Sequence, residues 1–211
     1  MDEHTRRIKN RYEQQLERHD KNSPEAVHWV DEDRVRLRYD VLTGIGNLSG
    51  KKILDFGCGT GLFLDYLNDQ NVNCEYHGWD ISETMIKTAK DRHPNANFST
   101  VNVLNDDGNS EAFDYAFVSG VFHVKTGSDP EEHRKWMYAI LKELWKRCDK
   151  GISVNFMTEH VDWKDDDLYY CDLDDLVEFC VDELSRWFTL RRDYKLWEHT
   201  LYVFTEAQQT P

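Results

Sequence analysis

The chain has 211 residues, of which 39% are hydrophobic and 13% aromatic, enough to bury one sizeable core and too apolar for a disordered chain. Its formal net charge of -14 opposes a polyphosphate backbone, which argues against nucleic acid as a partner. The first twenty residues, MDEHTRRIKNRYEQQLERHD, are charged throughout, and no later apolar run nears the roughly 20 residues that cross a bilayer. A soluble, cytoplasmic protein is expected.

Two helical stretches open the chain, Thr5 to His19 and Asp31 to Ile45, joined by DKNSPEAVHW, whose Ser-Pro pair marks a break or a fresh start. They form an N-terminal helical cap over residues 1–50, ahead of a core at 51–211. From Lys51 onward strand-like and helical runs alternate. The strands are KILDF (52–56), CEYHGWD (74–80), NFSTV (97–101), DYAFVSG (114–120), GISVNFM (151–157), WFTLRRDY (187–194) and TLYVFTE (200–206). Helices fall near 61–70, 82–92, 130–148 and 173–184. This alternation predicts an α/β fold with a Rossmann-like, seven-stranded, mostly parallel sheet and helices on both faces.

The third core helix has Asp129 as its cap and Pro130 at the first helical position, where no N–H is missed. Its Trp136, Ile140, Leu141, Leu144 and Trp145 recur at helical spacing and predict a core face. Residues 159–183 are acidic with Lys164 as the lone basic residue, and about 158–172 is read as an acidic lid inserted after the fifth strand. Cys58, Cys74, Cys148, Cys171 and Cys180 are scattered and contain no C-x-x-C, so reduced thiols are expected.

KKILDFGCGTGLFL, residues 51–64, carries the chemistry. A glycine-rich turn between a first strand and a first helix lets a ligand approach the backbone, and in dinucleotide enzymes it presents a pyrophosphate to the helix. Two details oppose that ligand here. Gly57, Gly59 and Gly61 are spaced G-x-G-x-G, one residue short of the dinucleotide fingerprint. Asp55 lies just before the loop, where its charge opposes a pyrophosphate and favours a cation. S-adenosylmethionine (SAM) has no phosphate and carries a sulfonium and an ammonium.

The segment ILDFGCGTG resembles motif I of class I SAM-dependent methyltransferases, and the likeness extends over the strand–helix pattern from Lys51 to Glu206. The resemblance implies that Asp55, Gly57, Cys58, Gly59 and Gly61 form the SAM loop. It implies that Asp80, ending the second strand 19 residues after Gly61, holds both ribose hydroxyls, and that Ile81 and Met85 pack on adenine. Where the family usually has an acidic residue after the third strand, this chain has Asn102 followed by Val103, with Asn105 or Asp106 as alternatives. Ser119 and Gly120 end the fourth strand and would flank the methionine part. The segment SPEAVHWVDEDRVRLRY resembles the cap of small stand-alone bacterial methyltransferases, which implies Arg38 for the methionine carboxylate, with Arg34 and Arg36 as rivals, and Trp29 as a pocket wall.

Methyl transfer from a sulfonium is an in-line displacement, so the enzyme mainly aligns the reactants and keeps them dry. Ligands of open α/β sheets sit beyond the carboxyl ends of the strands, which selects the loops HVKTGS and TEHVDWKDDDLYY. His123 and His160 are the candidate bases, since imidazole titrates near neutrality. Asn155, Glu159, Asp162, Tyr169 and Tyr170 are candidates for orienting a polar acceptor, and Trp163, Tyr169 and Tyr170 for an apolar underside of the lid. Asp65, His77, His93 and His133 are read as structural. Ser119 stands where a magnesium-dependent transferase would want a carboxylate, so no metal is expected. The expected activity is transfer of a methyl group from SAM, leaving S-adenosylhomocysteine (SAH), to an O or N atom of a small-molecule acceptor, either amine-bearing or a polar sugar-like metabolite. A nicotinamide dehydrogenase and a non-catalytic partner protein on the same fold are the alternatives.

Overall fold

Successive residues of a strand point to opposite layers, and a parallel sheet covered on both faces needs both layers apolar. The run KILDF meets that need. In strand β1 (Lys52–Phe56), Ile53 joins one buried cluster while Leu54 and Phe56 join the other. The computed structural model describes residues 1–18, 31–105 and 111–208, and it extends this division through the core. In chain order the elements are α1 (Glu3–Arg18), α2 (Glu32–Thr43), β1, α3 (Leu62–Asp69), β2 (Glu75–Asp80), α4 (Glu83–Arg92), β3 (Asn97–Thr100), β4 (Phe113–Val118) and α5 (Pro130–Trp145). There follow β5 (Cys148–Thr158), β6 (Tyr170–Cys171), α6 (Leu173–Phe179), β7 (Phe188–Arg191) and β8 (Glu198–Phe204).

The strands lie in the order β3-β2-β1-β4-β5-β8-β7. Neighbours from β3 to β5 run parallel, and β8 enters antiparallel between β5 and β7. This is the expected mostly parallel, seven-stranded sheet, with the two-residue β6 added against the end of β5. Trp136, Met137, Ile140, Leu141 and Leu144 of α5, with Leu176 and Phe179 of α6, pack on Leu54, Val118, Ile152 and Val154. The opposite layer sets Leu42 of α2, Phe63 and Leu67 of α3, and Ile86 and Ala89 of α4 against Ile53 and Phe117.

Boundaries shift where polar residues interrupt the apolar pattern. β5 begins at Cys148 because Phe113 pairs with it, although Asp149 and Lys150 look like loop. β8 begins at Glu198, two residues before its apolar run, and all seven of its residues are buried. The last helix ends at Phe179 and widens into a π turn at Cys180–Leu184. α5 starts as expected, with the Asp129 carboxylate accepting from the backbone N–H groups of Glu131 (3.2 Å) and Glu132 (3.4 Å). All five cysteines are free, and no helix among the described residues is long and apolar enough to cross a membrane.

The helix α1 docks through one stripe. Thr5, Ile8, Tyr12 and Leu16 recur at helical spacing; Ile8 joins the α5 layer, and Leu16 and Tyr12 pack on Met85. The Trp136 indole donates to Thr5 Oγ1 (2.9 Å), the Ser82 hydroxyl donates to Glu13 (2.7 Å), and Arg7 pairs with Glu132 at 3.2 Å. Beneath the start of α1, His4 and His133 are buried 5.1 Å apart, edge to face.

Those two imidazoles make the docking sensitive to pH. Burial pushes both pKa values down from 6.5, that of His133 to about 4, against an acceptor contact from the Phe122 carbonyl. Glu132 and Asp2 favour a charged His4 and Arg7 opposes it; His4, Lys125 and His123 oppose a charged His133. A depressed folded pKa means the unfolded chain binds more protons, so stability is full above about 6.5 and falls as the pH drops toward about 4. In a melting-temperature series from pH 7.5 to 5 this loss runs against the opposite contribution of Asp55, whose raised pKa favours the fold at lower pH, so the difference is the test: a His4→Leu variant should lose less, or gain more, than the native chain as the pH falls. Equal pH slopes in the two proteins would remove His4 from the effect.

Candidate functional site

The chain leaves β1 toward β2 on one side and β4 toward β5 on the other, so a crevice opens beyond the carboxyl ends of β1 and β4. The pocket lies there. Gly57, Cys58, Gly59 and Thr60 form its floor after β1, Asp80, Ile81, Ser82 and Met85 line it after β2, and Ser119, Gly120 and Val121 after β4. Val101, Asn102, Val103 and Leu104 close the end beyond β3.

The loop after β1 must be glycine where it approaches β4. Gly57 has φ +74°, its N–H donates to the Trp79 carbonyl (2.7 Å), and a Cβ there would stand 2.3 Å from Val121 Cγ2. Gly61 has φ +86° and opens α3 beside His93, outside the pocket lining. Cys58 lines the pocket as a buried thiol whose pKa burial raises well above the ordinary value.

Two carboxylates border this loop. Asp80 accepts from the Gly59 N–H (3.0 Å) with one oxygen and from the Ser82 N–H (2.8 Å) with the other, which leaves further lone pairs for a diol. Burial raises its pKa, and the backbone donors hold it back. Asp55 is 2% exposed and accepts from the Tyr76 hydroxyl at 2.6 Å. Burial pushes its pKa up to about 7, with the charge of Asp80 adding to the shift and the Tyr76 bond opposing it. Such a pair favours a cationic ligand, whose charge would draw both groups back to the ionised form.

Beyond β2 and β3 the lining turns apolar. Met85 and Val103 are buried, and Ile81 is half-buried. Asn102 accepts from the Leu104 N–H through its side-chain oxygen (3.2 Å). Asn105 is exposed and off the lining, and Asp106 falls outside the described residues. Two hydroxyls in the lining, Thr60 Oγ1 and Ser119 Oγ, are buried without a hydrogen-bond partner. Buried polar atoms are seldom left unpaired, so these mark where a polar ligand fits.

The cap contributes residues other than those expected. Thr5, Ile8, Lys9 and Tyr12 of α1 and Tyr39 of α2 line the pocket, and so do Trp136 and Ile140 of α5. The Tyr12 hydroxyl donates to the Gly120 carbonyl (3.2 Å), and burial followed by the charge of Asp80 raises its pKa, so the phenol stays neutral. The recurrence of Thr5, Ile8 and Tyr12 at helical spacing is the signal that could have found them, and it does not tell which part of the core lies opposite.

Arg38 does not line the pocket. Its guanidinium Nε donates to Glu198 Oε1 at 2.6 Å, and Glu198 is itself 2% exposed. Arg34 pairs with Asp31 at the surface, and Arg36 lies over the Tyr66 ring. Trp29 falls outside the described residues. The two histidines separate. His160 is exposed, whereas His123 follows the pocket loop, with its backbone N–H donating to the Gly120 carbonyl (3.4 Å). Burial lowers the His123 pKa to about 4, with Arg38 adding to the drop and Glu198 opposing it, and its Nε2 has no hydrogen-bond partner.

Asn155 is 1% exposed, and its side chain is engaged at both ends: the oxygen accepts from the Gly120 N–H (2.8 Å) and the amide donates to Glu198 Oε2 (2.7 Å). Tyr169 is buried against His133, with ring centroids 4.7 Å apart, away from the pocket lining. Tyr170 accepts at its hydroxyl from the Asp165 N–H, while Glu159 and Asp162 are exposed. Trp163 is 73% exposed, so it forms no underside to a lid. The acidic segment is instead strapped to the loop after β4: Lys125 N–H donates to the Asp167 carbonyl (2.9 Å) and Tyr169 N–H to the His123 carbonyl (2.8 Å). Asp65 pairs with Arg92, and the rings of His77 and His93 lie 2.9 Å from Glu75 and 3.1 Å from Asp65, all three outside the pocket lining.

A family model described as a methyltransferase domain matches residues 54–144. A curated relative, "Putative methyltransferase Rv1506c" of Mycobacterium tuberculosis, is 33% identical over 156 residues, covering 72% of this chain and 91% of that one. Among solved structures, magnesium protoporphyrin IX methyltransferase from Synechocystis, with bound SAM, superposes with a TM-score of 0.67 at 16% identity, covering 98% of this chain and 99% of that one. The N-methyltransferase NodS of Bradyrhizobium japonicum, in complex with SAH, gives 0.64 at 14% identity over 94% and 98%.

Proposed function

The chain belongs to the class I SAM-dependent methyltransferases, and from that premise we propose that it methylates an oxygen or nitrogen atom of a small polar acceptor. The observation that carries this reading is the pocket at the β1/β4 crevice, where a glycine loop, two acidic side chains and two unpaired hydroxyls converge. SAM, when bound, supplies an electrophilic methyl group on a sulfonium.

The residues divide the work. Asp80 grips the ribose diol, and its two backbone donors hold it in place for that task. Ile81, Met85 and Val103 give the adenine an apolar slot, and Asn102 faces its polar edge. Thr60 and Ser119 offer their free hydroxyls to the polar methionine end. Tyr12 and Trp136 wall the pocket and exclude water, which raises the effect of every charge inside.

His123 is the better base candidate of the two histidines, since it follows the Gly120 loop and its buried Nε2 is unpaired, although its ring lies outside the pocket lining. Being neutral throughout the physiological range, it needs no prior deprotonation. The porphyrin and N-methyltransferase structures share this fold, so the fold does not choose between acceptor atoms. The nicotinamide alternative is weakened by the G-x-G-x-G spacing of the loop and by Asp55, whose charge would face a pyrophosphate. Titration calorimetry should show micromolar binding of SAM and SAH and none of NAD; NAD binding alone would restore the dehydrogenase reading, and no binding at all would favour the partner-protein alternative.

A further inference from the structure

We infer that Glu198 and Asn155 are positioning residues that set the Gly120 peptide against the cap, so that the SAM pocket acquires its methionine-end wall only when this buried chain of hydrogen bonds is intact. The inference rests on the reading of the pocket as a SAM site.

The connections run through five separate elements. Arg38 of α2 donates to Glu198 at the start of β8 (2.6 Å), and Glu198 accepts from the Asn155 amide of β5 (2.7 Å). Asn155 accepts from the Gly120 N–H after β4 (2.8 Å), and the carbonyl of Gly120 accepts from the Tyr12 hydroxyl of α1 (3.2 Å). Only Tyr12 and Gly120 touch the pocket; the rest lies behind its wall.

Stability alone is a weak reason for such an arrangement. A buried ion pair costs desolvation that its attraction seldom exceeds, and packed apolar residues of the same volume often serve as well. What a directional pair adds is a single allowed arrangement. The asparagine oxygen can accept from Gly120 only if its NH2 group points at an acceptor on the other side, and Glu198 is that acceptor. Gly120 has φ +73°, which its lack of a side chain permits but does not enforce. Its N–H and its C=O belong to successive peptide planes, and the bond to Asn155 behind and the bond from Tyr12 in front hold one plane each, so that together they fix the rotation at Gly120. The cap thus meets the loop after β4 in one register.

The test exchanges the two functional groups. In Asn155→Asp, two carboxylates face each other in the interior; in Glu198→Gln, an NH2 group replaces one of the two oxygens and sets donor against donor at either Arg38 or Asn155. Either single change should weaken SAM binding about tenfold, the loss of a charge-assisted bond, and speed hydrogen exchange of the Gly120 amide. The double variant, Asn155→Asp with Glu198→Gln, restores each donor to an acceptor and keeps one carboxylate in the cluster. It should bind SAM within about threefold of the native chain, the signature of coupled neighbours. Should Asn155→Asp fail to fold, Glu198→Gln against the double variant gives the same comparison, and Tyr12→Phe, which leaves the core untouched, should weaken SAM binding and add nothing in the Glu198→Gln background. The inference is overturned if a folded single variant binds SAM as the native chain does, or if the double variant is no better than the singles. If the native chain itself fails to bind SAM, it is the pocket reading that falls.

Discussion

A Gly57→Ala protein is expected to fold and to bind SAM about a hundredfold more weakly than the native chain. An L residue in the left-handed region costs about 1–2 kcal/mol. The new methyl would also stand 2.3 Å from Val121 Cγ2, and overpacking of that kind adds about 1–3 kcal/mol. The loop relaxes most easily by withdrawing from β4, which opens the floor of the pocket. Since about 1.4 kcal/mol is a factor of ten, a loss near 3 kcal/mol gives the stated change. Adding Val121→Ala should recover the packing part and leave the backbone part, about tenfold. Native affinity in Gly57→Ala, measured by calorimetry, would mean that the loop does not hold the ligand.

Asp80→Ala should weaken SAM by about 1–3 kcal/mol, the range for losing a charge-assisted hydrogen-bond partner. It also strips the Gly59 and Ser82 N–H groups of their acceptor, so a lower melting temperature should accompany the weaker binding. Asp80→Asn is the sharper variant. Its amide keeps one oxygen for a backbone donor while its NH2 group faces the other, and the affinity should fall between native and alanine. Wild-type affinity in Asp80→Ala would remove this carboxylate from the site.

Much of this was legible in the sequence for reasons that can be named. KILDF followed by GCGTG joins a continuous apolar strand to a turn only glycine can make, and both signals are local. Asp80 was legible because it ends the next strand, at the same sheet edge. The wall of the pocket was harder to read. Thr5, Ile8 and Tyr12 announce a buried stripe, yet the partner of that stripe depends on how α1 lies across Met85 and Trp136. Glu198 gave no signal at all. A glutamate and a histidine before TLYVF read as loop, and what allows the carboxylate to be buried is Arg38, 160 residues earlier. His123 and His160 could not be ranked from spacing, since each follows a strand at the ligand edge and only burial separates them.

The wall contributed by α1 has a bearing on timing. Its fastenings are the buried stripe of Ile8, Tyr12 and Leu16, single hydrogen bonds from Trp136, Tyr12 and Ser82, and ion pairs at the surface, Arg7 with Glu132 and Arg11 with Asp167 at 3.8 Å, while the other walls come from the sheet, its loops, the core helices and Tyr39 of α2. Where this helix parts from the core, the side chains that keep water from the methyl group would also set how long the spent cofactor stays before a fresh one replaces it.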